Sequence, residues 1–348
     1  MATTPRTRVY LTIDVECAEE RVLPGRVAPA VGYDLRVWGR FSNQSEALGL
    51  PLILSELSRH RQKATFFVEV FGSCHFGDDG LREVCAGLRD GGQDVQLHAH
   101  PVQRLADWHT RGRPRPADNM ADYSLPQQEA LLREGVDKLV ACGVDRATVL
   151  AFRAGNYGAN NDTWRALAAA GLCLSSNLNL SYLSKNCRLR WPSTANALFE
   201  TDVPGVWELP ISNFRDGPGR LRHLQITAAS FGEIKHYLLE ARRLGLPEVT
   251  IVSHSFEFSF IDSVSAKTGR LNSINVDRLR RLLGFLNDHS DEFELDTVGA
   301  LAARVRLGSR PAAGPGADLV PVNPLSLRLR RYVEQGMKQL ASPGQHPA

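Results

Sequence analysis

No apolar run in the 348-residue chain approaches the roughly 18 residues that a membrane-spanning helix needs, so a helical span is excluded. The net charge of +3 is small for this length and gives no electrostatic case for a nucleic-acid or membrane-surface partner. The six cysteines (Cys17, Cys74, Cys85, Cys142, Cys173, Cys187) form no CxxC pair, which argues against a disulfide framework and for free thiols. A secretory signal is missing too, since Asp14, Glu16, Glu19 and Glu20 stand where an apolar segment would be, and a cytoplasmic protein is expected. There is no HExxH, no GxSxG and no GxxxxGK[ST], so zincin chemistry, a serine nucleophile elbow and a P-loop drop out. No internal repeat is visible. What remains is an ordinary globular composition, 43% hydrophobic and 23% charged, in a chain long enough to bury a full core.

Strand-length apolar runs alternate with amphipathic runs of helix length. Strands are expected at VYLTIDV (9–15), ATFFVEV (64–70), DVQLHAH (94–100), TVLAFRA (148–154), LCLSSNL (172–178), VWELPIS (206–212), VTIVSHS (249–255) and FELD (293–296). Helical patterns lie between them, among them PLILSELSRH, GLREVCAGLRDGG, PQQEALLREGVDKLVACG, NDTWRALAAAG, FGEIKHYLLEARRLG and VDRLRRLLGFLND, several closing on glycine as helix ends often do. Near-continuous apolar strands in this rhythm predict a parallel sheet covered by helices, and seven or eight such units favour a barrel. Two long connections, 17–47 and 101–124, break the rhythm, as functional loops do. The Pro/Gly-rich stretch 309–324 predicts a linker, dividing a catalytic barrel (1–307) from a linker and terminal helix (308–348) that packs on the body or serves a homo-oligomer.

Polar groups gather where the strands end: Asp14 and Glu16 on the first, His98 and His100 on the third, Arg153 on the fourth, His254 on the seventh. In a parallel barrel that end carries the chemistry. Singly, each has an ordinary explanation, as a cap, a salt-bridge partner or a core histidine. Together they describe a site. Residues two apart on a strand share a face about 7 Å apart, so the carboxylate pair and the histidine pair can converge on one cation. Such a cation would relieve the repulsion between the carboxylates and acidify a bound water, with one carboxylate as ligand and the other as base.

This order of clusters resembles the polysaccharide deacetylase family, also called the NodB-homology or carbohydrate esterase 4 group, whose members share a distorted (β/α)7 barrel. The family's TFDDG, H[ST]xxH, RxPYG, hydrophobic and late LxH motifs correspond to LTIDVE (11–16), QLHAHP (96–101), FRAGNYG (152–158), VWELPIS (206–212) and IVSHSFEF (251–258), and KATFFV (63–68) suits its second strand. The resemblance implies Asp14 as general base, Arg153 as the residue orienting it and His254 as general acid. Val15 and Val102 stand where the family has a metal carboxylate and a second metal histidine, so Glu16 and His100 are expected to replace them beside His98. A divalent metal is implied, Zn²⁺ first, with Co²⁺ or Ni²⁺ as alternatives. Asn156 or Tyr157 would supply an oxyanion donor. Trp38 and Arg40, with Arg36 in the same segment, and Trp108 in the second long loop would line the substrate groove.

The implied activity is hydrolysis of an N-acetyl or related N-acyl group on an amino sugar or glycan. Three alternatives stand beside it. One is a silent relative that binds a glycan without cleaving it, motivated by Val15 and Val102. Another is a hydrolase of this fold acting on a non-sugar C–N bond. The last is an amidohydrolase barrel, disfavoured because its HxH belongs on the first strand.

Overall fold

A computed structural model describes residues 6–191, 196–309 and 319–340, with side chains to residue 336 in the last segment. All eight expected strands form. In chain order they are β1 (Thr7–Val15), β2 (Thr65–Glu69), β3 (Asp94–Ala99), β4 (Ala151–Ala154), β5 (Leu174–Ser175), β6 (Trp207–Glu208), β7 (Glu248–His254) and β8 (Phe293–Leu295). The parallel sheet runs β7-β1-β2-β3-β4-β5-β6, and a short antiparallel strand, Phe199–Glu200, pairs with β6.

β1 is the centre of this sheet, buried along nearly its whole length. One edge pairs with β7 over seven positions, from Arg8 opposite Glu248 to Asp14 opposite His254. The other edge is shared: β8 takes Thr7–Val9 and β2 takes Thr12–Val15. On the far side of β7 no ladder forms, and isolated bonds complete the ring: Ser212 N to Thr250 O (3.3 Å), Ile226 N to Val252 O (3.0 Å) and Val252 N to Leu224 O (2.9 Å). The result is a distorted α/β barrel. β5 and β6 are shorter than their apolar runs because past Ser175 and Glu208 the backbone leaves the ladder, and Glu208 receives the N–H groups of Asn177 and Leu178 instead.

Six of the covering helices correspond to expected patterns: α1 (Leu50–Arg59), α2 (Asp78–Asp90), α3 (Leu125–Ala141), α4 (Asn161–Ala169), α5 (Phe231–Leu244) and α6 (Ser273–Asp288). α5 shows why such runs fold locally. Ser230 and Glu233 form a capping box at its start, and Gly245, at φ 72°, ends it in the left-handed region. Two-residue alternation then sorts the side chains. Val9, Leu11, Ile13 and Val15 of β1 pack into the core beneath the helices, whereas Tyr10 belongs to a separate inner cluster with Phe67, Ala151, Leu174 and Trp207. A seventh helix, α7 (Val298–Arg306), adds Val298, Leu301, Ala302 and Val305 to that inner cluster.

The expected linker falls largely outside the described residues, which omit 310–318. The terminal helix α8 (Leu325–Leu340) packs on the body through a buried ion cluster. Arg331, 1% exposed, pairs with Asp216 Oδ2 (2.8 Å) and, on its other nitrogen, with Glu233. Removing one partner of a buried ion pair costs about 3–5 kcal/mol because the other is left uncompensated. Arg331→Ala should therefore lower the thermal midpoint and open the 319–340 segment to limited proteolysis, read by calorimetry and by mass mapping of the fragments.

Candidate active site

The alternation that puts Val15 into the core sends Asp14 and Glu16 the other way, and on β3 it does the same for His98 and, just past the strand end, His100. Register does the rest. Asp14 lies opposite His254 on β7 and opposite Phe67 on β2, Glu69 lies opposite His98, and His98 lies opposite Arg153.

Arg153 is fully buried and uses its whole fork: Nη1 donates to Asp14 Oδ1 (2.7 Å), Nη2 to Ser176 Oγ (3.0 Å) and Nε to Ser176 O (3.2 Å). Its guanidinium covers the Phe67 ring at 4.3 Å. The other oxygen of Asp14 looks at His254, 3.9 Å from Nε2. His254 Nδ1 meets Glu257 Oε1 at 2.9 Å, and Glu257 is itself held by Ser253 Oγ (2.8 Å) and Gln225. Burial alone would lower the His254 pKa. The Glu257 charge and hydrogen bond, with Asp14 and Glu16 behind them, push it up to about 9 instead.

Glu16 Oε2 lies 2.9 Å from His100 Nε2 and 3.5 Å from His98 Nε2, and one donor atom from each of the three residues falls within 4.8 Å of the others. The chemistry of this set suits a divalent cation. His98 Nδ1 lies 2.8 Å from the Arg153 carbonyl, which only accepts, so Nδ1 carries a proton and Nε2 is the nitrogen turned toward Glu16. His100 Nδ1 is held by Asp118 (3.0 Å to Oδ2), the carboxylate–imidazole arrangement that fixes metal-binding histidines. Burial would lower the His100 pKa, but Asp118 and Glu16 hold it well above the usual imidazole range. Burial works the other way on Glu16, whose carboxyl is kept well below its usual range by the charge and hydrogen bond of His100. A cation seated among the three would take the place of the proton His100 shares with Glu16.

The structure brings Asp14, Glu16, His98, His100, Arg153 and His254 together. Val102 is buried in the turn after β3, whereas His100 is the residue whose Nε2 meets Glu16 Oε2 at 2.9 Å. Asn156 and Tyr157 form the turn after β4, both at φ 55°. Asn156 Nδ2 donates to Asp118 (2.6 Å), while Tyr157 packs with Tyr182 (5.2 Å between centroids) and His223 (6.1 Å). Trp108 donates to Glu19, which Arg115 joins to Asp118. Trp38 and Arg40 are not brought to the site. Trp38 is buried in the core against Gly87 of α2, and Arg40 stacks on it and pairs with Glu83 of the same helix and with Asp34. Within the π-helical turn Asp34–Trp38, Trp38 goes to the core and Arg36 to Glu16.

Four supporting residues had no clear sequence signal. Asp118 and Gln225 lie in irregular segments, Glu69 ends an apolar strand, and Glu257 follows His254 at a helical spacing. Glu69 accepts from Phe71 N (2.7 Å), Gly72 N (2.8 Å) and His100 N (3.3 Å), tying the β2 and β3 ends together, and burial raises its pKa despite these donors.

The class of fold follows from this architecture: it is the distorted α/β barrel of the polysaccharide deacetylases. No protein-family model matches the sequence, and no curated protein matches it. Among solved structures, a putative polysaccharide deacetylase from Mycobacterium smegmatis superposes with a TM-score of 0.51 at 15% identity, covering 90% of this chain and 96% of that one. A family 4 carbohydrate esterase from Streptomyces lividans, in complex with acetate, gives a TM-score of 0.42 at 12% identity over 90% and 98% of the two chains. A family 4 pseudoenzyme from Bacillus anthracis gives 0.42 at 14% identity over 86% and 66%.

Gly155 supplies a local test. A Cβ there would come within 2.4 Å of the His100 ring. Gly155→Ala should displace that ring and weaken divalent-metal binding by about 10–100-fold, measured by competition with a chromogenic chelator.

Proposed function

We propose that the chain is a metal-dependent amide hydrolase that removes an N-acetyl or related N-acyl group from an amino sugar or glycan. One observation carries this reading. A carboxylate held by a buried arginine and an imidazole held by a buried carboxylate face each other at 3.9 Å, beside a Glu/His/His triad. Base, acid and candidate metal ligands thus share one barrel end.

Glu16, His98 and His100 would hold the metal. When bound, it supplies Lewis-acid polarisation of the acyl carbonyl and a water acidic enough to attack near neutral pH. Asp14 accepts the proton of the attacking water. Arg153 fixes that carboxylate in direction, since every arm of its fork is engaged. His254, charged and aimed by Glu257, gives its proton to the departing nitrogen, and an amine leaves only once protonated. Acetate or another carboxylate and a free amino sugar are the products. The Tyr157, Tyr182 and His223 rings offer apolar faces for a pyranose.

Activity is the decisive measurement. The test is carboxylate release from a panel of N-acylated sugars and glycans, with and without added Zn²⁺, Co²⁺ or Ni²⁺. Release that requires metal supports the reading, and no release from any member with metal bound counts against it. Asp14→Asn should lower kcat by about 10²–10⁴-fold while bound metal, measured by plasma mass spectrometry, stays at the wild-type level. Glu16→Ala should lose the metal.

The pH profile tests the acid. His254 must be protonated to act, so activity holds below its pKa and falls as pH rises through about 9. In Glu257→Gln the imidazolium loses its stabilising charge, and that falling limb should move to lower pH. A limb that does not move would remove Glu257 from the mechanism.

A further inference from the structure

Arg36 stands beside this cluster without a part in the chemistry above. Its side chain is 15% exposed, and Cζ lies 3.2 Å from the centroid of the Phe256 ring. Only face-to-face stacking permits so short a separation, so the donors of the guanidinium lie in a plane parallel to the ring. Among the described residues its one carboxylate neighbour within 4 Å is Glu16, with Nη2 3.8 Å from Oε1, beyond hydrogen-bond reach. The other Glu16 oxygen is already set against His98 and His100. Arg36 Nε is buried and has no hydrogen-bond partner among the described residues. Burial brings the Arg36 pKa down to about 10 despite Glu16, and the nearby Arg21 adds to that effect.

The contrast with Arg153 is informative. Both are withdrawn from water, yet one has every arm filled and the other has an open fork. A planar fork held flat against an aromatic ring is a ready receptor for the two oxygens of a carboxylate or phosphate. Its position says which part of a substrate it would meet. His254 rests on the same Phe256 ring, 4.9 Å between centroids, and Glu16 lies 3.8 Å from Nη2, so the open fork stands between the acid and a candidate metal ligand, beside the place of the scissile C–N bond.

We propose that Arg36, stacked on Phe256, is an oxyanion subsite that selects substrates carrying a carboxylate or phosphate close to the acylated nitrogen. The closeness to that nitrogen rests on the hydrolase reading, whereas the anion preference does not.

The experiment measures binding rather than turnover. Metal-loaded Asp14→Asn is titrated calorimetrically with N-acetylglucosamine, with its 1- and 6-phosphates and with N-acetylmuramic acid, so that phosphate and carboxylate are separate arms. At least one anionic sugar is expected to bind about tenfold or more tightly than the neutral parent, as a charge-assisted fork allows. That advantage should disappear in Asp14→Asn/Arg36→Gln and persist in part in Asp14→Asn/Arg36→Lys, with metal content equal in all three proteins. Equal affinity for neutral and anionic sugars in Asp14→Asn overturns the subsite without recourse to any Arg36 variant. So does an advantage that survives Arg36→Gln. Loss of metal from Arg36→Gln would make Arg36 a support for Glu16 and overturn it likewise. Failure of the hydrolase reading is separate: the wild-type protein would release no carboxylate from these sugars even where the anion preference holds.

Discussion

A strand buried on both faces must send every second side chain into the barrel, and β1 meets that constraint at the centre of the sheet. Its odd residues feed the core under the helices, and its even residues face inward. An inward carboxylate in such a place has to be answered by partners, and the register of the neighbouring strands supplies them. His254 comes from β7, and Arg153 reaches across from β4. The site is therefore a consequence of alternation and register first, and of loops second.

That is why the main part of it could be read from the sequence. Two-residue spacing in IDVE and LHAH states which side chains share a face, and strand ends in a parallel barrel state where they meet. The eight strands and six of the covering helices followed from periodicity. Length was harder. β5 and β6 keep only two laddered residues each, because Glu208 captures backbone N–H groups that a longer strand would have used, and apolar runs carry no trace of such a capture. α7 follows the same helical period, with Val298, Leu301, Ala302 and Val305 on one face and Arg304 and Arg306 off it.

The supporting residues were less legible, for a different reason. Asp118, Gln225 and Glu69 each meet a site histidine at least 18 positions away along the chain, so no local pattern marks that contact. The substrate-groove expectation for Trp38 and Arg40 met the opposite problem. Their segment opens with a π-helical turn, Asp34–Trp38, whose i→i+5 bonding puts more residues into each turn and so alters which side chains share a face. A period of 3.6 or of 2 does not describe such a turn. Arg36 faces the site, and the larger, more conspicuous tryptophan serves the core.

The ion cluster that seats α8 ties distant parts of the chain together. Asp216 belongs to the hairpin connection between Asn213–Arg215 and Leu221–His223, and His223 hydrogen-bonds Gln225, which in turn holds Glu257 behind His254. Composition alone invites a cut near residue 308, where a Pro/Gly-rich stretch looks like dispensable tether. A shortened chain ending there would keep every residue that faces the barrel mouth, yet it would leave Asp216 and Glu233 without their arginine on the far side of the hairpin that braces the acid.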